Sequence, residues 1–185
     1  ARSDQCDNCG NVLEPEKLLN PRAKTGDGAL ELRETEHFYL DLSKLEPDVK
    51  KFLKERSGYM RDTVLGESLG KIEAEGLKPR PITRDLDWGI PVPVDEAGWE
   101  TKKLYVWFEA VIGYLSAAIE WAQVSGQNEA WREWWANPEA RQFYFIGKDN
   151  IFFHTSLWPA QLMGAGSAFM DIFAGEEIPL TLPFD

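Results

Sequence analysis

The feature that most constrains this chain is a strand-then-helix pattern that occurs twice between residues 103 and 164. Lys103 to Phe108 is rich in aromatic and branched side chains, and Ala110 to Gln123 follows with apolar residues at helical spacing. After a polar helical stretch around 128–136, Phe143-Tyr144-Phe145-Ile146 reads as a short apolar strand. It runs through Gly147 and Lys148 into Asp149, a residue suited to capping a helix that reaches about Gly164. Two such steps predict an α/β fold with parallel strands and a ligand crevice beyond their carboxyl ends. Trp107 and the segment 147–150 fall at that edge.

Composition narrows the class further. The 185 residues, 43% hydrophobic with 8 Trp, suffice for one sizeable domain and a small appendage and exclude a disordered chain. Acidic residues outnumber basic ones 31 to 20, a net charge of -11, so the bulk field repels phosphate backbones and a grip on nucleic acid requires a local basic patch. No apolar run reaches the ~18 residues that span a bilayer, and Arg2-Ser3-Asp4 lacks the apolar stretch of a signal peptide. A soluble, cytoplasmic protein with no membrane partner is expected.

The two cysteines, Cys6 and Cys9, are spaced as one knuckle of a tetrahedral metal site, which needs four ligands. A redox pair and a pair of inert thiols are the other readings; a bridge between them closes too small a loop to stabilise much. Residues 1–35 are polar and turn-rich, as suits a small metal-stapled appendage, and 36–185 form the remaining domain. Within it, Thr35 to Leu42 reads as a strand, 47–58 and 60–75 as amphipathic helices, and prolines 79, 81, 91 and 93 bracket an extended stretch.

Two stripes carry the chemistry. Trp107, Ala110 and Tyr114 share a helix face at i, i+3 and i+7; Asn150, His154 and Trp158 share another at i, i+4 and i+8, with Phe153 beside them. Such stripes also describe an ordinary core, and a lone His is commonly a satisfied structural one. What separates the two readings is that both stripes meet one sheet edge, each combining rings with a polar handle. A ring-lined slot with a small floor residue suits a thioether, whose sulfur gains about 0.3–1.5 kcal/mol per aromatic contact. Methionine fits that slot, and a Tyr hydroxyl or imidazole N–H there offers the sulfur a weak hydrogen bond. Gly147 permits close approach of a ligand to the backbone, while Asp149 suits either ribose hydroxyls, an amine or a plain helix cap.

The segments Tyr105-Val106-Trp107-Phe108-Glu109-Ala110-Val111-Ile112-Gly113-Tyr114 and Phe145-Ile146-Gly147-Lys148-Asp149-Asn150-Ile151-Phe152-Phe153-His154, with Trp158-Pro159-Ala160, resemble methionyl-tRNA synthetases, which are class I aminoacyl-tRNA synthetases. Cys6-x-x-Cys9, Glu34-Thr35-Glu36-His37-Phe38 and Trp88-Gly89-Ile90-Pro91-Val92-Pro93 are similar to family segments in the same order. Glu109 stands where the family commonly has Asp, and Asn150 where many members have Ile.

The resemblance implies part of a Rossmann-like catalytic domain with a zinc-knuckle appendage at its N-terminus. It assigns Trp107, Ala110, Tyr114, Asn150, Phe153, His154 and Trp158 to the methionine pocket, Gly147 and Asp149 to the ATP side, Arg84 to a phosphate or the tRNA end, and Cys6 and Cys9 to half a zinc site. The implied activity is that of a methionine–tRNA ligase, using ATP with Mg, methionine and tRNA(Met). The family's His-Ile-Gly-His and Lys-Met-Ser-Lys-Ser signatures do not occur in this sequence. The expectation is therefore an internal fragment, inactive alone, that needs N- and C-terminal parts of the same chain. Ser167 to Leu180 matches the family poorly and is assigned no role. A non-catalytic zinc-knuckle interaction module on an α/β scaffold is the alternative from a different class.

Overall fold

A computed structural model describes residues 17–23, 26, 30–32, 34–137 and 139–165. Cys6, Cys9 and the stretch 167–180 lie outside the described residues. The chain divides into two compact units, Ala1–Glu36 and His37–Asp185. In the first, nearly all described residues are exposed, and Asn20 takes the left-handed conformation at φ 51° that Asn tolerates better than most residues.

The second unit opens with β1 (Tyr39–Leu40) and a 3-10 turn, Leu42–Leu45, followed by α1 (Glu46–Glu55) and α2 (Asp62–Glu75). Both helices form where apolar residues recur at helical spacing: α1 buries Val49, Phe52 and Leu53, and α2 buries Val64, Ser68 and Ile72. Glu46 joins their ends, its carboxylate accepting from Lys50 Nζ and from the Leu77 N–H, each at 2.7 Å. Both contacts hold its carboxyl below the usual range, the lysine first.

Next come β2 (Arg80–Pro81), β3 (Thr83–Asp85) and β4 (Lys102–Leu104). β1 pairs with β2, and β3 with β4, both antiparallel. The parallel pairing expected from the sequence is therefore not among the described ladders. A parallel neighbour is reached through a crossover, usually helical, whereas β3 returns to β4 through a Pro- and Gly-containing loop, 86–101, that holds no helix and turns the chain back on itself.

The first strand–helix step is displaced: β4 ends at Leu104, and helix already begins at Val106 as α3 (Val106–Glu109), continuing through a 3-10 turn, Ala110–Ile112, into α4 (Gly113–Val124). The polar helix expected over 128–136 contracts to α5 (Arg132–Trp135), anchored by buried Trp131 and Trp135. Phe143–Ile146, read as a strand, joins neither ladder. Its side chains still alternate, Tyr144 buried between exposed Phe143 and Phe145, so the period-2 pattern is present without a strand to bond to.

The last helix is irregular. A 3-10 turn, Lys148–Asn150, leads to a π turn, Phe153–Leu157, and then α6 (Trp158–Gly164). Asp149 lies inside the 3-10 turn and makes no cap; Gly147 holds the cap position, without a side-chain bond. Pro159 accounts for the π turn, since it has no N–H to return to the preceding turn and its ring crowds the carbonyl four residues back. The widened turn is closed by Trp158 N–H donating to the Phe153 carbonyl.

Two core clusters result. One gathers Leu42, Val49, Leu53, Ile72, Leu157 and their neighbours; the other gathers Val111, Leu115, Ala122, Trp131, Trp135 and Trp158. Phe153 and Leu162 pack against both. Among the described residues no helix is long and apolar enough to cross a membrane.

Candidate functional site

The site forms where α3 and α4 meet the π turn. Helical spacing places Trp107 on α3 and Tyr114 on α4, and the π turn presents Phe153 and His154 to them. Trp107 and Phe153 have ring centroids 5.4 Å apart, and Tyr114 Oη lies 2.9 Å from His154 Nε2. The two stripes read from the sequence thus contribute two touching pairs.

His154 is 4% exposed, and its hydrogen bonds define its tautomer. Nδ1 lies 2.9 Å from the Asn150 carbonyl, which can only accept, so Nδ1 carries the proton. Nε2 of the neutral ring is then the acceptor, and the Tyr114 hydroxyl donates to it. Burial pulls the imidazole below its usual 6.5, opposed by the bond to Asn150, and favours the neutral form. This differs from the sequence reading, in which the hydroxyl or the imidazole N–H was free to meet sulfur: here each proton is already engaged.

Tyr144, which the sequence reading passed over, joins this cluster. Its ring stands edge-on to Tyr114 at 5.1 Å and to His154 at 5.3 Å, and its hydroxyl donates to Gln142 Oε1 at 2.6 Å. Burial pushes the phenol up to about 12, with the Trp158 indole the main opposing influence. The only sequence signal was its place in the short apolar stretch before Gly147. The Trp158 indole is near enough to ease a phenolate but is not aligned for a hydrogen bond, since Nε1 has no partner among the described residues. Trp158 itself is 2% exposed and packs edge-on to Trp135 at 6.3 Å.

Ala110 is exposed in the turn between α3 and α4, and Asn150 contributes its backbone carbonyl to His154. Gly147 and Asp149 are exposed at the opening of the last helix. Arg84 lies on β3, its guanidinium 4.1 Å over the Tyr105 ring and donating to the Thr83 carbonyl at 2.8 Å. Tyr105 immediately precedes α3, so Arg84 flanks the site's entry strand. No group of three or more His, Cys, Asp or Glu able to hold a metal occurs among the described residues. Beside the last helix, a hollow of about 430 Å³ opens between Arg61, Thr63, Phe145, Lys148 and Ile151.

The family model for tRNA synthetases class I (M) matches residues 1–178. The chain belongs to this family.

Among curated class I relatives, the methionine–tRNA ligase of Chloroflexus aggregans is 53% identical over 190 residues, covering 100% of this chain and 31% of that protein. That of Thermobifida fusca is 53% identical over 167 residues, covering 89% of this chain and 27% of that protein. The chain therefore spans about a third of the length of these synthetases. The crystal structure of Mycobacterium tuberculosis methionyl-tRNA synthetase bound by methionyl-adenylate superposes with a TM-score of 0.58 at 28% identity, covering 79% of this chain and 25% of that one.

Proposed function

We propose that this chain is the part of a methionine–tRNA ligase that receives the methionine side chain. The observation carrying this reading is the convergence of Tyr114 and His154, joined at 2.9 Å, with the neighbouring Trp107–Phe153 ring pair. Ala110, Asn150 and Trp158 complete the surroundings. Gly147 and Asp149 face the ATP side, and Arg84 meets a phosphate or the tRNA end. The names of the curated relatives and the adenylate in the mycobacterial enzyme support the assignment.

The whole ligase activates methionine with ATP and Mg: the amino-acid carboxylate attacks the α-phosphorus, pyrophosphate leaves, and the acyl group of methionyl-adenylate then passes to tRNA(Met). Such chemistry rests on positioning and charge neutralisation. The ATP signatures that supply most of that charge are absent from this sequence. The 185 residues alone therefore make no adenylate, and methionine-dependent pyrophosphate exchange above background contradicts this. In the whole ligase, Phe143–Ile146 enters a parallel, Rossmann-like sheet, a role supported by its unbroken aromatic and branched run, the pattern of a strand covered on both faces. Residues 1–35 form the appendage, Cys6 and Cys9 providing two of four zinc ligands.

Calorimetry on the complete ligase carrying this sequence tests the pocket. Trp107→Ala and His154→Ala each weaken methionine binding at least about tenfold, as truncation of a central anchor does. Unchanged affinity in both overturns the reading.

A further inference from the structure

Two buried hydroxyls, one of them next to His154 in sequence, have no part in the reading above. Ser68, on α2, is 6% exposed, and Thr155, in the π turn, is 0% exposed. Their oxygens are 2.9 Å apart although the residues are 87 positions apart in sequence. Ser68 Oγ is also 2.8 Å from the Val64 carbonyl, and Thr155 Oγ1 2.8 Å from the Ile151 carbonyl. Three short contacts thus share two hydroxyl protons. Of the three ways to place them, sending both protons to the carbonyls leaves two buried oxygens facing each other at 2.9 Å with only lone pairs between them, a repulsive arrangement. In the other two, which run from Ser68 through Thr155 to Ile151 or in reverse to Val64, the Ser68–Thr155 contact is bonded and ties the two helical segments together.

The location gives this contact its consequence. A π turn has a wider, less well-determined ladder than an α-helix, and such turns occur frequently at functional sites. Thr155 follows His154 in sequence, and the Ile151 carbonyl follows the Asn150 carbonyl that fixes the imidazole. Thr155 therefore anchors the same turn of backbone that orients His154 toward Tyr114.

We propose that the Ser68–Thr155 hydroxyl pair clamps the π turn and so sets the direction of the His154 imidazole, making Ser68 a positioning residue for the site. Its importance for methionine recognition rests on the functional reading above; its effect on the imidazole does not.

In the complete ligase the imidazole signals of His154 and His37 are each identified by their loss on substitution with Gln, and His37 serves as an internal control for His154. In Ser68→Ala and Thr155→Val the His154 resonances shift while those of His37 stay in place, and Thr155→Ser, which keeps the hydroxyl, restores the wild-type positions. In the complete ligase, Ser68→Ala weakens methionine binding roughly threefold to tenfold, the scale of coupling between contacting residues, and leaves ATP binding unchanged. Imidazole signals that coincide with wild type in both Ser68→Ala and Thr155→Val, whatever the loss in melting temperature, overturn the clamp. A His154→Ala ligase with normal methionine affinity overturns the methionine reading instead, and the imidazole spectra still decide the clamp.

Discussion

The Tyr114 hydroxyl donates to His154 Nε2 across 2.9 Å, joining α4 to the π turn through a bond whose far side is secured by the Asn150 carbonyl. Removing the donor leaves a buried ring nitrogen unsatisfied. Tyr114→Phe is expected to cost about 1–2 kcal/mol of unfolding free energy, measured by denaturant titration, while the ring contact with Tyr144 survives. A variant as stable as wild type shows that the hydroxyl contributes nothing.

The same imidazole makes stability depend on pH. Its folded pKa lies below the usual 6.5, burial being the main cause, so the unfolded chain binds more protons in the window beneath that value. Stability is expected to be complete above about 6.5 and to fall as the pH drops below it through the folded value. His154→Gln should flatten this slope in melting curves recorded from pH 7 downward; an unchanged slope assigns it to other groups.

At the exit of α2, Gly76 has φ +69° and ψ 169°, a region essentially restricted to glycine. A Cβ there would also come within 3.2 Å of Glu46 Oε2, the oxygen that accepts the Leu77 N–H. Gly76→Ala is expected to destabilise the protein by about 1–3 kcal/mol in equilibrium unfolding. A neutral effect contradicts the strained geometry.

How much of this was legible in the sequence follows from what each signal depends on. Val49, Phe52 and Leu53, like Val64 and Ile72, announce their helices because amphipathic spacing is a local property. Phe143–Ile146 carries the short apolar run of a strand, yet a strand exists only when another strand bonds to it, which local sequence does not encode. The stripes led to Tyr114, His154, Trp107 and Phe153 because 3.6-residue periodicity survives a modest local widening. Tyr144 escaped because it reaches Tyr114 and His154 from irregular backbone, where no helical spacing links it to either stripe. Pro159 was visible in the sequence and explains the π turn, but a proline near the start of α6 reads equally well as an ordinary first-turn residue. Asp149 illustrates the converse: a suitable capping residue placed two positions too late, after Gly147 had already taken the position.

The central claim, that these rings and the imidazole receive a thioether side chain, is tested most directly by comparing methionine with norleucine, its hydrocarbon isostere, by calorimetry on the complete ligase. Sulfur–ring contacts are expected to make methionine bind more tightly by about threefold to tenfold, and Trp107→Ala to erase most of that difference. Equal affinities for the two amino acids in the unmodified enzyme contradict the claim.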